Sequence, residues 1–257
     1  MLGTKRIGVV LQDRDRHLLK ELGVLRIIDR ETAKVVAGFK STRRANCRLL
    51  QLTRSGLLRR FFVGSVAHGR KAVYTLSAKG ANLTSAHFAG IHRPSSRLVV
   101  GDRFVEHQSG INDVYLAVKY FPAPDVRLGR WLAFSRSLSE AIKLTPDGYF
   151  ELQRSGGAVQ AAFLEVDLGT EALQVWQQKI AYYLQLALSG DFQKRFQQPQ
   201  FRVLVVCNSE RRIHNLRTAI AKQTDKIFWF STFAFIQRSD FWSPVWLRPT
   251  GAQRLAL

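Results

Sequence analysis

The sequence predicts an α/β protein in two parts, a small helical unit that ends in a β-hairpin and a larger unit built on a mixed sheet flanked by helices. Three observations carry that prediction. Apolar residues recur at helical spacing three times before Gly56; two β-like runs follow; and beyond residue 106 a strand hairpin gives way to strands alternating with helices. The 257 residues, 46% hydrophobic and 23% charged, are enough for one large domain or two modest ones.

In residues 12–22, polar residues lead into Leu18, Leu19 and Leu22 on one helical face, and Gly23 supplies a stop signal. Asp29 is placed to cap a second helix through Thr32, Val35 and Val36, ending at Gly38. Ser41 is placed to cap a third, in which Ala45, Leu49 and Leu52 stack at helical spacing up to Gly56. The other side of this helix is basic. β-like runs at 57–63 and 71–76 flank a glycine-bearing, basic tip at 64–70, and a short helix at 77–84 closes the unit.

Three helices followed by such a hairpin form the winged helix-turn-helix pattern, in which the third helix enters the major groove and the wing touches an adjacent groove or the backbone. Arg43, Arg44, Asn46 and Arg48 are then the candidates near base edges or flanking phosphates. Arg70 and Lys71 at the wing, with Arg59 and Arg60 at its root, are candidate phosphate contacts. The charge agrees. Of a formal net +20, residues 1–100 carry +15, from 20 Lys/Arg against 5 Asp/Glu. Between Glu31 and Asp102 there is no carboxylate and there are 13 Lys/Arg, an arrangement that phosphate neutralisation with counterion release rewards. DNA is the expected partner.

Residues 87–105, with Pro94-Ser95-Ser96 and no periodicity, read as a linker between a first domain at 1–86 and a second at 106–257. The second domain then predicts a helix at 111–120, strands at 129–134, 141–152 and 159–168, and a long helix at 170–188. A strand at 201–207, a helix at 209–222 and a strand at 227–230 complete the order. A hairpin followed by β-α-β-α-β implies a mixed sheet.

Two acidic stations stand on adjacent strands of this order. Asp147 follows Pro146, and Glu165 and Asp167 share one strand face, since residues i and i+2 point the same way. Gly156-Gly157 supplies a turn that brings Asp147 and Glu165 side by side, the geometry of a hydrolytic magnesium site. Asp147 after Pro146 also suits a plain turn. Like charges at Glu165 and Asp167 call for a compensating metal or an arginine.

The element order and the stations resemble the PD-(D/E)xK nuclease superfamily. From residue 12 to 232 the chain is similar to the replication-relaxation family of plasmids and mobile elements: a winged-helix start, Pro146-Asp147-Gly148, then Glu165-Val166-Asp167-Leu168-Gly169-Thr170, then Lys179 with Tyr182 or Tyr183. The resemblance implies a Mg²⁺-dependent (or Mn²⁺-dependent) DNA endonuclease or nickase. Asp147, Glu165 and Asp167 would be metal ligands, and Lys179 would join them as the catalytic lysine. Asp167 occupies the place where the superfamily usually has lysine, so Lys179 would reach back from the following helix. Gln178 with Tyr182 matches an auxiliary Q-x-x-x-Y spacing of related nucleases, and Tyr183 is adjacent. The other implied outcome is a DNA-binding replication or transcription factor whose nuclease-like domain is degenerate, with Lys179 paired to a carboxylate as a structural remnant.

Other chemistries lack their residues. The six histidines contain no His-x-His pair for a rolling-circle relaxase, and no zinc-finger spacing, nucleophile elbow or nucleotide fingerprint occurs. Cys47 and Cys207 are far apart and read as structural thiols. No apolar run reaches the roughly 18 residues of a membrane helix, and no signal-peptide order opens the chain, so a cytoplasmic protein without membrane contact is expected. A homodimer, or assembly with another mobile-element protein, is the expected partner state beside DNA.

Overall fold

The computed structural model describes residues 9–64, 70–84, 102–236 and 241–257. The wing tip at 65–69 and most of the 87–105 connector lie outside the described residues. The chain divides into two compact units, residues 1–109 and 110–257.

The first unit opens with α1 (Asp13–Leu25), α2 (Arg30–Ala37) and α3 (Thr42–Arg54). α1 runs past Gly23, because Leu22 and Leu25 are both buried and that packing outweighs one glycine inside the helix. The caps of the next two helices are those the sequence indicates. The Asp29 side chain accepts from the Thr32 amide at 2.7 Å, Gly38 closes α2 in the left-handed region at φ 64°, and Ser41 accepts from the Arg44 amide at 3.3 Å. Leu18, Leu19, Ala33, Ala45, Leu49 and Leu52 are fully buried. Strands β1 (Leu58–Val63) and β2 (Lys71–Leu76) pair antiparallel, an isolated bridge joins Ile28 to Tyr74, and α4 (Ala78–Thr84) packs back on the helices.

Helix α5 (Asp102–Tyr120) begins well before the residue 111 read from sequence. Two separate burials extend it. Within the first unit Val105 packs with Ile27 and Val73, and within the second Val114, Ala117 and Val118 pack on the sheet.

The second unit is α/β, with a seven-stranded mixed sheet in the order β3 (Val126–Leu132), β4 (Gly148–Arg154), β5 (Val159–Asp167), β6 (Phe201–Cys207), β7 (Phe228–Thr232), β8 (Trp246–Leu247) and β9 (Arg254–Leu255). β5, β6 and β7 are parallel and their outer neighbours antiparallel. The crossovers are α6 (Leu173–Leu188) with the short α7 (Asp191–Phe196), then α8 (Glu210–Ala221). Trp176, Ile180, Tyr183, Ile213 and Leu216 from these helices pack on one face of the sheet, over Phe163, Val203, Val205 and Phe230. α5 covers the other face, over Phe150, Ala162, Leu164 and Leu204. Three layers result.

The strand expected at 141–152 begins only at Gly148. Residues 135–147 instead fold on themselves, with the Leu138 amide donating to the Leu144 carbonyl at 2.8 Å, while Leu138, Ile142 and Leu144 are buried. Their apolar alternation therefore serves a packed loop. β8 and β9 are too short to leave a periodic signal in sequence. No helix among the described residues is long and apolar enough to cross a membrane.

Candidate functional site

Glu165 and Asp167 lie near the C-terminal end of β5 and point to the helix-covered face on which α6 and α8 pack. Both are 1% exposed. Buried carboxylates need partners, and each has found a different set.

Asp167 is enclosed. Its Oδ1 and Oδ2 accept from Nε and Nη2 of Arg212 at 2.9 and 2.8 Å, the fork geometry of a strong guanidinium–carboxylate pair. The indole Nε1 of Trp176 donates to Oδ2 at 2.5 Å and the Gly169 amide to Oδ1 at 2.6 Å. Hydrogen bonding to Asp167, against the opposing effect of burial, pushes the Arg212 guanidinium above its usual pKa. Four donors from β5's own turn, α6 and α8 thus converge on one carboxylate. The place where sequence reasoning puts a third metal ligand holds a clamp between layers, and Arg212, which closes it, carries no spacing signal because 45 residues separate it from Asp167.

Glu165 differs. Lys179 Nζ lies 2.9 Å from Oε2 and the Tyr183 hydroxyl donates to Oε1 at 2.6 Å. Lys179 and Tyr183 are one helical turn apart on α6, which is why both reach the same carboxylate. Lys179 also meets Glu171, at 2.8 and 3.0 Å. Gly148 pairs with Leu164, so continuing the antiparallel register by one residue sets Asp147 directly across from Glu165. The Asp147 amide donates to the Leu164 carbonyl at 3.2 Å, and Asp147 Oδ2 accepts from the Val166 amide at 2.7 Å. The side-by-side placement read from the two stations is present.

The electrostatics follow. Burial first, then the Asp147 charge, push the Glu165 carboxyl up to about 7, against the opposing pull of Lys179. Burial works against the Lys179 ammonium, but the charges of Glu165 and Glu171 outweigh it and raise its pKa. Lys179 therefore stays charged, and the proton in play belongs to Glu165. Burial and the charges of Glu165 and Asp147 hold the Tyr183 phenol well above its usual range, so it remains a donor. A third buried carboxylate, Glu151, is bridged to Arg130 at 2.8 Å and accepts from the Tyr149 hydroxyl at 2.7 Å.

Of the auxiliary residues, Gln178 is exposed on α6 and Tyr182 is partly buried at the edge of the helix-side core; Tyr183 alone touches the carboxylate. Among the described residues no group of three or more His, Cys, Asp or Glu side chains is arranged to hold a metal.

In the first unit, Arg43 and Arg44 are exposed at the start of α3, and Asn46, two residues further on, is partly exposed. Arg48 turns inward instead. Its guanidinium holds the fully buried Asp15 at 2.5 and 2.9 Å and the Val10 carbonyl at 2.7 Å, so it ties α3 to α1. Arg59, Arg60 and Arg70 are exposed on and beside the hairpin, with Arg60 over the ring of Phe62 at 5.0 Å. Lys71 is exposed and pairs with Asp29.

No curated protein and no solved structure matches the chain. The family model described as replication-relaxation matches residues 19–198, a span that runs from α1 to just past α7 and takes in both Asp147 and the Glu165–Lys179 pair. The chain belongs to the replication-relaxation family, a membership that supports a role in the replication or mobilisation of plasmids and mobile elements.

Proposed function

We propose that the chain is a DNA-binding protein of plasmid or mobile-element replication or mobilisation that acts as a Mg²⁺-dependent (or Mn²⁺-dependent) endonuclease or nickase. In this reading residues 1–86 form a winged helix-turn-helix that selects the site, 87–105 connect, and 106–257 form a PD-(D/E)xK-like nuclease domain.

One observation carries the enzymatic half: Asp147 and Glu165 oppose each other across β4 and β5, with the Lys179 ammonium 2.9 Å from Glu165. Two carboxylates so placed repel, and burial adds to the penalty; a divalent cation between them relieves both. Asp147 and Glu165 therefore fit a magnesium ion as ligands. Asp167 fits less well, because its oxygens already take four donors, from Arg212, Trp176 and Gly169, where those of Glu165 take two, from Lys179 and Tyr183. The ion, when bound, supplies a Lewis acid for the scissile phosphate and lowers the pKa of water. The chain's own residues do the rest. Lys179 offers a fixed positive charge to the phosphate or the attacking oxygen, Tyr183 holds the Glu165 carboxylate in orientation, and Glu171 keeps Lys179 from swinging away.

The DNA-binding half is supported by exposed Arg43, Arg44, Arg59, Arg60 and Arg70, with Asn46 beside them, in a stretch free of carboxylates from Glu31 to Asp102. A second reading keeps DNA binding and drops catalysis. It is favoured by Lys179, which neutralises Glu165 without any metal, and by the closure of Asp167.

Cleavage of supercoiled plasmid separates the two. The purified chain should nick or linearise it in Mg²⁺ and not in EDTA, and Asp147→Ala should lower the rate by about 100-fold or more, the scale of losing a charge-stabilising group. If the wild type cuts neither duplex nor single-stranded DNA, the enzyme reading is abandoned for the second.

A further inference from the structure

We propose that a cleft at the other end of the second unit's sheet is a phosphate-binding site formed by Arg202, Arg248 and Lys226. The cleft has a volume of about 630 Å³ and opens at the N-terminal ends of β5, β6 and β7. Ala161, at its wall, is six residues along β5 from Asp167, on the order of 20 Å at strand rise, so the two sites are separate.

Its lining is one-signed. Three cations face it and no Asp or Glu belongs to its walls. Two other largely buried guanidinia each meet a carboxylate: Arg48 has Asp15 and Arg212 has Asp167. Among the described residues no carboxylate pairs with Arg202 or Arg248. Both are instead collected on one indole, with Arg202 over the Trp229 ring at 4.3 Å and Arg248 at 5.1 Å. Arg248 Nη2 is anchored to the Asp225 carbonyl at 2.6 Å. What remains is unmet. Arg202 Nη1 and Arg248 Nε are buried and have no hydrogen-bond partner, a state that buried polar groups rarely keep.

Burial, then the charges of Arg248 and Arg154, hold the Arg202 guanidinium below its usual pKa, as expected where like charges gather without a counterion. Arg154 has its own partner in Asp125 at 3.1 Å. The three remaining charges exceed what one carboxylate would neutralise. Paired guanidinium forks match the tetrahedral, multiply charged oxygens of phosphate. Trp229 is 6% exposed and its ring is already occupied by arginine, so the cleft recognises the phosphate and leaves a base or sugar unread. The phosphate belongs either to a nucleic-acid backbone or to a free phosphate compound, and the inference is independent of the Asp147–Glu165 centre.

The test uses the full chain. Inorganic phosphate, against chloride at equal ionic strength, should raise the melting temperature of the wild type and of Asp147→Ala, and the rise should vanish in Arg202→Gln/Arg248→Gln. Lys226→Glu, at an exposed residue, should weaken the phosphate response several-fold with an unaltered far-UV spectrum, and decides the matter if the double variant fails to fold. Fluorescence anisotropy with labelled DNA identifies the source. If the backbone docks here, Lys226→Glu weakens DNA binding and lowers the salt slope by about 1; if free phosphate is the ligand, DNA binding is unchanged while the thermal response is weakened. Equal stabilisation by phosphate and chloride, or a phosphate response undiminished in Lys226→Glu, would overturn the proposal.

Discussion

Glu165 is the residue on which most of the site's behaviour turns, because it is wholly buried and yet bears a charge that Lys179 favours and Asp147 opposes. Its folded pKa of about 7 lies above the usual carboxylate value of about 4.3, so between those values the folded chain holds a proton that the unfolded chain has released. Stability from this group is therefore complete below pH about 4.3 and is lost as pH rises through about 7. Urea unfolding in EDTA should show Glu165→Gln gaining on wild type across that window, and an identical pH slope in the two proteins would refute the assignment. Asp147, Glu165 and Lys179 are legible in the sequence because short local patterns mark them: a Pro-Asp-Gly turn, an acidic strand, a helical lysine. The closure of Asp167 is not, since Arg212 approaches from a different helix and only the fold brings it there. Arg48 teaches the same lesson in the first unit: an arginine on a basic helix face reads as solvent-facing until the distant Asp15 is placed beside it.

Helix starts announced by side-chain caps form where their residues indicate, whereas a single glycine ends a helix at Gly38 and fails to at Gly23. Asp29 and Ser41 fix the starts of α2 and α3 through side-chain hydrogen bonds that depend on local sequence alone. Gly23 fails as a stop because burial of Leu25 is a tertiary matter. The junction of α3, β1 and α4 is closely packed and hydrogen-bonded. Ser77 Oγ donates to the Gly56 carbonyl at 2.6 Å and accepts from the Gly80 amide at 3.0 Å, and Lys79 Nζ reaches the Ser55 carbonyl at 2.9 Å. A Cβ on Gly80 would run into the backbone carbonyl of Leu57, which has no flexible end to move aside. Gly80→Ala should destabilise the chain by about 1–3 kcal/mol despite the better helix propensity of alanine, as read by denaturant midpoint; an unchanged or raised midpoint would contradict this packing.

At the level of the whole molecule, the mixed sheet flanked by helices is predictable from the order of elements, because a hairpin followed by β-α-β-α-β leaves few other arrangements. The uneven charge is equally plain in the residue order, since it needs only a count along the chain. Exposed Arg43 and Arg44 should each contribute one phosphate-type contact or better, so Arg43→Ala/Arg44→Ala should weaken DNA binding and lower the slope of log K against log salt by up to about 2. An unchanged affinity and slope in anisotropy titrations would remove α3 from the interface. Among the described residues, the three buried carboxylates of the second unit, Glu151, Glu165 and Asp167, take their cations from β3, α6 and α8 respectively. Each cation belongs to a layer or strand other than the one that bears the acid. Peeling α8 from the sheet would strand Asp167 in apolar surroundings, and lifting α6 would do the same to Glu165, so neither helix has a cheap way to open alone. The unit is thereby biased to breathe as one cooperative block, and its helix amides should share a common, high barrier to solvent exchange.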